Sequence, residues 1–256
     1  MNPLRSLAAL TIRLRLVPWT VPLIALASVT SRAEPAAAPD APFIATLNVS
    51  PLRIEIGKRA RLASFQIQNA SAKPVALQVR VFAWSQQDGA DQYVTTKDII
   101  ASPGILAMEP DAFQTFRVVR LNTPESGKEL SYRIVIDQLP DRQQKAGAAT
   151  TRLRLILPLF LDGDVASASA IGFAAQNGAL MIANQGGKSA RLERLSLKYS
   201  DGRVIPLDSA GPRYVLAGST IKWRLPAIAT CLADGSAIVG VIDSKPVNVS
   251  VKQICS

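Results

Sequence analysis

The strongest constraint on the fold is a hairpin pattern that the sequence contains twice. The first copy is Ile67-Gln-Asn-Ala-Ser-Ala-Lys73, and the second, 115 residues later, is Ile182-Ala-Asn-Gln-Gly-Gly-Lys188. In both copies, alternating apolar and polar residues enter a short polar turn and a second alternating segment leaves it, which predicts a β-hairpin. A further pair, Asp111–Arg117 and Gly218–Arg224, recurs at an offset of 107 residues. We therefore predict two similar β-domains in tandem.

The remaining sequence favours an all-β chain. Short alternating segments follow one another with Gly, Pro, Asn and Asp between them, and no window shows sustained helical periodicity. This arrangement predicts β-sandwiches. The 256 residues are enough for two domains of about 100 residues each. We place the first domain at residues 43–161 and the second at 162–256, with the boundary at Asp162-Gly163-Asp164 and a hairpin turn at Asp88-Gly89.

The N-terminal segment has the order of a secretory signal. Residues 1–33 carry arginines, then an apolar run from Leu16 to Val29, then small residues ending at Ala33, and they contain no acidic residue. The alternative is a transmembrane anchor, but Pro18 and Pro22 interrupt a run that is shorter than the roughly 20 residues a span needs. We predict export with cleavage after Ala33, followed by a flexible Ala- and Pro-rich lead at residues 34–42.

Charge argues against a nucleic-acid partner. Loss of the signal lowers the formal net charge from +10 to +6, because the segment contains four arginines and no acid. The remaining Lys and Arg residues are scattered and are not interleaved with stacking aromatic residues, as a nucleic-acid surface requires. We therefore predict no nucleic-acid partner and no stable insertion in a membrane.

The two cysteines indicate a disulfide. Cys231 and Cys255 are the only cysteines of the chain, and an even pair in an exported protein is typically bonded. Closure of the loop between them is expected to stabilise the second domain by roughly 3 kcal/mol. A redox role or a metal site would need closer spacing or more ligands.

The composition excludes the common enzyme chemistries. The chain has no histidine, which removes Ser-His and Cys-His nucleophiles and the commonest metal ligand. Gly187-Lys188-Ser189 resembles the end of a phosphate-binding loop, but Ile182 occupies the position of the leading glycine. We predict that the protein is not an enzyme and uses no cofactor or metal.

Seven segments of the first predicted domain, taken in order, carry a family resemblance. They are Val49–Ile54, Phe65–Asn69, Val79–Trp84, Ile100–Pro103, Glu109–Arg117, Glu129–Ile134 and Leu157–Phe160. With them the chain resembles the periplasmic chaperones of the chaperone-usher pathway, which assemble pili and other surface fibres. The second domain matches mainly by its hairpin pattern and its late cysteine pair.

The resemblance implies two immunoglobulin-like domains in an L-shaped arrangement that bind a fibre subunit lacking its last strand. The last strand of the first domain is lent to the subunit, which is then passed to an outer-membrane usher. Arg152–Leu161 fits this lending strand because Leu153, Leu155, Leu157 and Leu159 fall on one face at period two. The alternative is an ordinary core strand that buries these leucines in its own domain.

The family also binds the C-terminal carboxylate of the subunit with a pair of basic residues. Arg53 matches the first by its place after Ser50-Pro51. The second is open, because Pro158 stands where the family usually has Lys. Arg154 is our first candidate, ahead of Arg152 and Arg133, since a guanidinium donates two parallel hydrogen bonds to a carboxylate. This departure resembles the non-classical branches of the family.

A rival hypothesis is an exported surface or carbohydrate-binding module without chaperone activity, because a shared fold does not fix function. Such a module is expected to expose aromatic side chains on one face. The chain has 7 Phe, 4 Tyr and 3 Trp, and most of them lie in segments that read as buried strands.

Overall fold

Every regular element of the described chain is a β-strand. The structure is a computed structural model that describes residues 45–122, 125–140, 152–162, 167–176, 178–207, 213–225 and 235–254. These residues form nineteen strands and no helix, and so no helix that could cross a membrane. The predicted signal at 1–33, the lead at 34–42, and both cysteines, Cys231 and Cys255, lie outside the described residues.

Ten strands form the first sandwich, in two sheets. One sheet has the order β1-β3-β8-β6, and the other has the order β2-β10-β9-β4-β5 with β7 beside β4. The strands are β1 (Leu47–Ser50), β2 (Ile54–Ile56), β3 (Leu62–Asn69), β4 (Val75–Gln87), β5 (Ala90–Thr95), β6 (Ile99–Ser102), β7 (Ile105–Met108), β8 (Phe113–Arg120), β9 (Leu130–Gln138) and β10 (Arg154–Leu161).

One apolar core joins the two sheets of the first sandwich. Alternate residues of every strand except β5 pack in it or against it, as period-two patterning requires, whereas β5 is exposed along its length. Phe65 of β3 and Phe116 of β8 stack with their ring centroids 5.0 Å apart. They pack in the same buried cluster as Leu77, Ile134 and Leu159 of the opposite sheet.

Nine further strands form the second sandwich. Its sheets have the orders β16-β12-β11-β19 and β14-β13-β17-β18, with β15 beside β13. A separate buried cluster, which includes Leu180, Leu197, Trp223 and Ile238, joins them. The strands are β11 (Ile171–Gln176), β12 (Ala179–Asn184), β13 (Ala190–Lys198), β14 (Val204–Pro206), β15 (Arg213–Val215), β16 (Thr220–Arg224), β17 (Ala237–Ile242), β18 (Lys245–Ser250) and β19 (Lys252–Ile254).

The repeated hairpin is built around a buried asparagine in each sandwich. Asn69 is 0% exposed, and its Nδ2 donates hydrogen bonds to the carbonyl oxygens of Lys73, Met108 and Glu109 at 2.9, 3.2 and 3.1 Å. Its Oδ1 accepts a hydrogen bond from the Ser71 N–H at 3.0 Å. The amide therefore satisfies backbone groups that a turn would otherwise bury without partners.

Asn184 does the same in the second sandwich. Its Nδ2 donates to the carbonyl oxygens of Lys188 and Val215, and its Oδ1 accepts from the N–H groups of Gly186 and Ala170. In each copy the amide also donates to a strand carbonyl oxygen, that of Met108 in β7 or Val215 in β15. Both strands come directly before the second repeated segment of their sandwich. The recurrence of Asn and of the turn after it thus has one physical cause.

The second repeated pair marks equivalent turns. Asp111 and Gly218 start the two segments, and both have positive φ, 58° and 73°. Asp tolerates this left-handed conformation better than most residues, and Gly adopts it freely. The predicted fold class, an all-β chain with two similar sandwiches, is confirmed. The predicted turn at Asp88-Gly89 is also confirmed, with φ of 51° and 82° in a two-residue hairpin between β4 and β5.

Candidate functional site

In the described chain, the outer edge of β10 is paired with another strand along only part of its length. β10 pairs with β9 along its whole length, from Arg154 opposite Asp137 to Leu161 opposite Leu130. On its other side, β2 pairs with residues 159–161 only. Among the described residues no strand covers the outer edge of residues 154–158, so its backbone groups are available for pairing with another chain.

The four leucines of the predicted lending strand share one face, as the alternation predicts. Leu157 and Leu159 are 5% and 0% exposed and belong to the core of the first sandwich. Leu153 and Leu155 are only half-buried and pack at the margin of that core. Ile156 lies on the opposite face and is 47% exposed. In the described chain, the first half of β10 therefore has no strand along its outer edge, and its leucines are incompletely packed.

Arg154 and Arg152 lie at the open end of β10. The Arg154 Nε donates to Asp137 at 2.5 Å, and the Arg80 guanidinium contacts the other oxygen of the same carboxylate at 2.7 Å. Partial burial opposes ionisation of Asp137, but the two guanidinium groups outweigh it and lower its pKa. Arg152 is exposed and, with Arg80 and Arg154, lines a depression of about 440 Å³.

Arg53 lies at the other end of β10, just before β2. Its guanidinium carbon is 4.2 Å from the ring centroid of Phe160 and 5.5 Å from that of Tyr214. Its Nε donates to the Glu55 carboxylate at 2.5 Å. Burial disfavours the charged form, but hydrogen bonding to Glu55 and Tyr214 outweighs burial, so the pKa of Arg53 is raised.

Arg133 approaches the same tyrosine from β9. Its guanidinium carbon is 3.5 Å from the ring centroid of Trp84 and 5.8 Å from that of Tyr214. Burial lowers its pKa despite favourable interactions with Tyr93 and Asp91. Within the described part of the chain, the buried Nε of Arg133 has no hydrogen-bond acceptor. A cation–π contact of this kind is strong when it is shielded from water.

The two guanidinium groups flank a small apolar cluster between the sandwiches, which we call the junction cluster. It consists of Trp84 and Phe160 from the first sandwich and Tyr214 and Leu216 from the second. The three aromatic rings lie with their centroids 5.4–6.1 Å apart in tilted or edge-to-face arrangements, as aromatic pairs prefer. A cleft of about 350 Å³ beside the cluster is lined by Arg133 and Tyr214, among others.

Two polar side chains of the first sandwich form hydrogen bonds to the backbone of the second sandwich. The Gln86 amide donates to the Tyr214 carbonyl and accepts from the Leu216 N–H, both at 2.9 Å. The buried Glu129 carboxylate accepts from the Ser189 N–H at 2.9 Å. Burial raises the pKa of Glu129, although Ser189 and nearby cations oppose the shift. These contacts fix the strand that carries Tyr214 against the first sandwich.

The sequence-predicted basic residues therefore separate into two groups. Arg53 and Arg133 meet at the junction cluster. Arg154 is four residues before Pro158, the residue that pairs with Arg133, and so lies about 13 Å further along the strand. Tyr214 and Gln86 were not singled out from the sequence, because neither carries a motif and their roles arise from packing between the sandwiches.

The first sandwich matches a known family. Residues 46–163 match the family model described as "Pili and flagellar-assembly chaperone, PapD N-terminal domain". The predicted resemblance of the first sandwich to the pilus chaperones is confirmed by this match. No curated protein matches the chain.

Solved structures share the fold of the whole described chain. A chain of the CsuC–CsuE chaperone–tip adhesion subunit complex, from archaic chaperone-usher Csu pili of Acinetobacter baumannii, is 24% identical with a TM-score of 0.64, and the match covers 82% of this chain and 100% of that chain. The E. coli chaperone DraB is 13% identical with a TM-score of 0.60, over 83% of this chain and 99% of that one. A chain of the Salmonella enterica SafA pilin–SafB chaperone complex is 15% identical with a TM-score of 0.60, over 82% and 98%.

Proposed function

We propose that this protein is a periplasmic chaperone that binds incomplete pilus or fimbrial subunits, completes their fold with a lent β-strand and delivers them to an outer-membrane usher. The observation that carries the proposal is the open outer edge of β10, which lies beside two half-buried leucines in a domain of the pilus-chaperone family. Export with cleavage after Ala33, the domain boundaries at residues 161 and 162, and the Cys231–Cys255 disulfide belong to the proposal and rest on the sequence.

Strand lending solves a physical problem of the subunit. A sandwich that lacks a strand exposes its core and a row of unpaired backbone groups, and both favour aggregation. β10 can supply the backbone partners along residues 154–158 and apolar side chains from Leu153 and Leu155. Leu157 and Leu159 are buried in the core of the first sandwich, and they keep β10 attached to that sandwich while its outer edge pairs with the subunit. Binding energy alone drives this action, and it needs no nucleotide, cofactor or catalytic residue.

We assign the carboxylate-binding pair to Arg53 and Arg133. Both guanidinium groups lie at the junction cluster, where burial strengthens their interaction with an anion. The Nε–H of Arg133, which lacks an acceptor among the described residues, is a donor that a carboxylate can satisfy. Arg154 lies about 13 Å further along the strand than Pro158, the residue opposite Arg133, and this distance is too long for it to bind one carboxylate together with Arg53. Arg152 accompanies Arg154, so both are less suited to act with Arg53.

The rival module hypothesis predicts a row of exposed aromatic side chains. Of the described aromatic residues, Tyr93 and Phe113 are strongly exposed, at 48% and 62%. They belong to different sheets, because Tyr93 is in β5 and Phe113 is in β8. Single aromatic residues on separate sheets do not form a stacking platform for a sugar, so we do not favour this alternative.

Co-expression with a fibre subunit tests the proposal, which predicts that the gene of such a subunit lies beside this one. We expect recovery of a stoichiometric complex from the periplasm and loss of soluble subunit when the chaperone is omitted. Leu155→Glu is expected to abolish the complex, because a charge enters the lent apolar face. Ile156→Glu is the matched control on the opposite, exposed face and is expected to retain it. A subunit that stays soluble and folded without this protein would refute the function.

The same assay tests the basic pair. Arg53→Ala and Arg133→Ala are each expected to reduce recovery of the subunit at least tenfold, since removal of one charge of a buried pair costs several kcal/mol. Arg154→Ala is the comparison variant and is expected to reduce recovery little. The assignment of Arg133 is wrong if Arg154→Ala has the larger effect.

A further inference from the structure

The second sandwich contributes Tyr214 to the junction cluster, beside both Arg53 and Arg133. Tyr214 is 8% exposed, and its ring lies within 6 Å of both guanidinium carbons. Its hydroxyl interacts with the Arg53 guanidinium. Tyr214 also lines the cleft of about 350 Å³ that Arg133 lines. The Tyr214 ring therefore lies beside two cations, and its hydroxyl is available to a ligand that Arg53 binds.

The position of Tyr214 is set by the first sandwich. The side-chain amide of Gln86 bonds to the backbone on both sides of the Tyr214–Leu216 segment, at 2.9 Å to the Tyr214 carbonyl and 2.9 Å to the Leu216 N–H. The ring itself packs edge-to-face on Trp84 with centroids 5.9 Å apart. Backbone and ring are both restrained, so the hydroxyl does not need to be ordered when a ligand binds.

A carboxylate has about four acceptor sites, and two guanidinium groups fill all of them only if both bind in the bidentate mode. Each carboxylate oxygen accepts about two hydrogen bonds, and hydrogen bonds to an ionised acceptor are stronger than neutral ones. A phenol hydroxyl can rotate its proton away from a cation and toward an anion. In the free protein the Tyr214 hydroxyl interacts with Arg53, and a bound carboxylate supplies an acceptor for its proton.

We propose that Tyr214 is a third recognition residue, which donates a hydrogen bond to the carboxylate that Arg53 and Arg133 bind. This inference rests on the proposed carboxylate-binding pair and extends it to the second sandwich. As a consequence, the complete site exists only when the two sandwiches are docked through Gln86. The second sandwich then takes part in recognition of the subunit and is more than a support for the first.

Acetate is the simplest probe of this site, with acetamide as its neutral control. Trp84 is in contact with Arg133, so its fluorescence reports on ligand binding there. Trp223 is removed by Trp223→Phe to isolate the signal in protein purified from the periplasm, because Trp19 lies in the predicted signal segment. We expect a saturable change in emission with acetate and none with acetamide.

Tyr214→Phe keeps the ring, the cation–π contacts and the packing, and it removes only the hydroxyl. We expect it to weaken acetate binding about three- to tenfold, the range for loss of one hydrogen bond. Tyr199→Phe is the matched control, because Tyr199 is 7% exposed in the second sandwich and its hydroxyl has no partner among the described residues. It is expected to leave acetate binding unchanged. Equal urea midpoints for the two variants confirm that folding is unaffected.

The outcomes separate this inference from the proposed function. Unchanged acetate binding in Tyr214→Phe, with binding lost in Arg53→Ala, overturns the role of Tyr214 and leaves the basic pair intact. Absence of any saturable acetate response in the parent protein also overturns it. Recovery of the subunit by co-expression is measured independently, and that assay alone tests strand lending.

Discussion

The buried asparagine of the first hairpin offers the sharpest test of how the repeat stabilises the fold. Asn69→Ala removes a donor that serves three carbonyl oxygens, those of Lys73, Met108 and Glu109. It also removes the acceptor of the Ser71 N–H. Since Asn69 is 0% exposed, water cannot replace these partners without opening the turn. The loss is therefore one of hydrogen bonding in a dry site.

The size of the effect follows from these contacts. A typical internal hydrogen bond contributes about 0.5–1.5 kcal/mol net, and a buried group left without a partner costs about 1–3 kcal/mol. Four bonds at one residue are not additive, so we expect a loss of about 3–5 kcal/mol. Asn69→Asp keeps the shape but turns a carboxylate toward the three carbonyl oxygens, and we expect it to be at least as destabilising near neutral pH.

Urea unfolding measures the loss within each sandwich. Trp84 lies in β4 at the junction cluster and Trp223 lies in the core of the second sandwich. Variants that retain only Trp84 therefore follow the first sandwich together with the junction, and variants that retain only Trp223 follow the second core. With m of about 2 kcal/mol/M, the expected shift of the Trp84 midpoint is about 1.5–2.5 M. Asn48→Ala is the control, because Asn48 is exposed and its side chain donates a hydrogen bond to the exposed Gln68 side chain.

A loss below about 1 kcal/mol for Asn69→Ala would refute this account of the repeat. Asn184→Ala provides an internal replicate. Asn184 is 2% exposed and also makes four hydrogen bonds, so it is expected to shift the Trp223 midpoint by a similar amount. If only one of the two substitutions destabilises its sandwich, the two hairpins do not share a mechanism.

Two further predictions concern residues at the second hairpin turn, Gly186 within it and Glu129 hydrogen-bonded to Ser189 beside it. Gly186→Ala is expected to destabilise the second sandwich by about 2 kcal/mol or more, because a Cβ at this position overlaps the Ala168 carbonyl oxygen. Gly57→Ala, with no atom within 4 Å of the added Cβ, is expected to be neutral, and equal urea midpoints for the pair would contradict the steric argument. For Glu129, burial raises the pKa in the folded state above its ordinary value of 4.5, so its contribution to stability is greatest below pH 4.5 and is lost as the pH rises through the folded pKa. Glu129→Gln keeps an acceptor for the Ser189 N–H, and we expect the variant to gain stability relative to the parent protein between pH 4 and 7, as measured by urea midpoints; a relative loss over that range would show that ionised Glu129 is the favoured form.

The alternation of side chains predicts the strands well because it is a local property. β10 begins two residues after the first residue of the predicted segment Arg152–Leu161 and ends with it, and the turn at Asp88-Gly89 has positive φ at both residues. β4 continues past the alternating residues, which end at Trp84, to Gln87. The polar residues of that extension do not alternate with apolar ones, and they form a strand because they pair with β5.

The second member of the basic pair, in contrast, cannot be identified from a local pattern. Arg133, Arg152 and Arg154 are all arginines in or beside strands, and no local pattern shows which of them acts with Arg53. Their positions relative to one another depend on the register of β9 and β10, which places Pro158 opposite Arg133 and Arg154 opposite Asp137. Register is fixed by pairing and core packing across the sheet, and it brings Arg133 rather than Arg154 to Tyr214.

The sequence by itself determined that this chain is all-β, that it contains two related sandwiches, and that the first resembles the pilus chaperones. Each of these properties follows from patterns of a few consecutive residues, or from the recurrence of such a pattern along the chain. Only the tertiary structure decided which side chains meet at the junction, because Gln86 and Tyr214 are separated by 128 positions in the chain. Contacts over such distances arise from the packing of two complete sandwiches, and no local pattern encodes them.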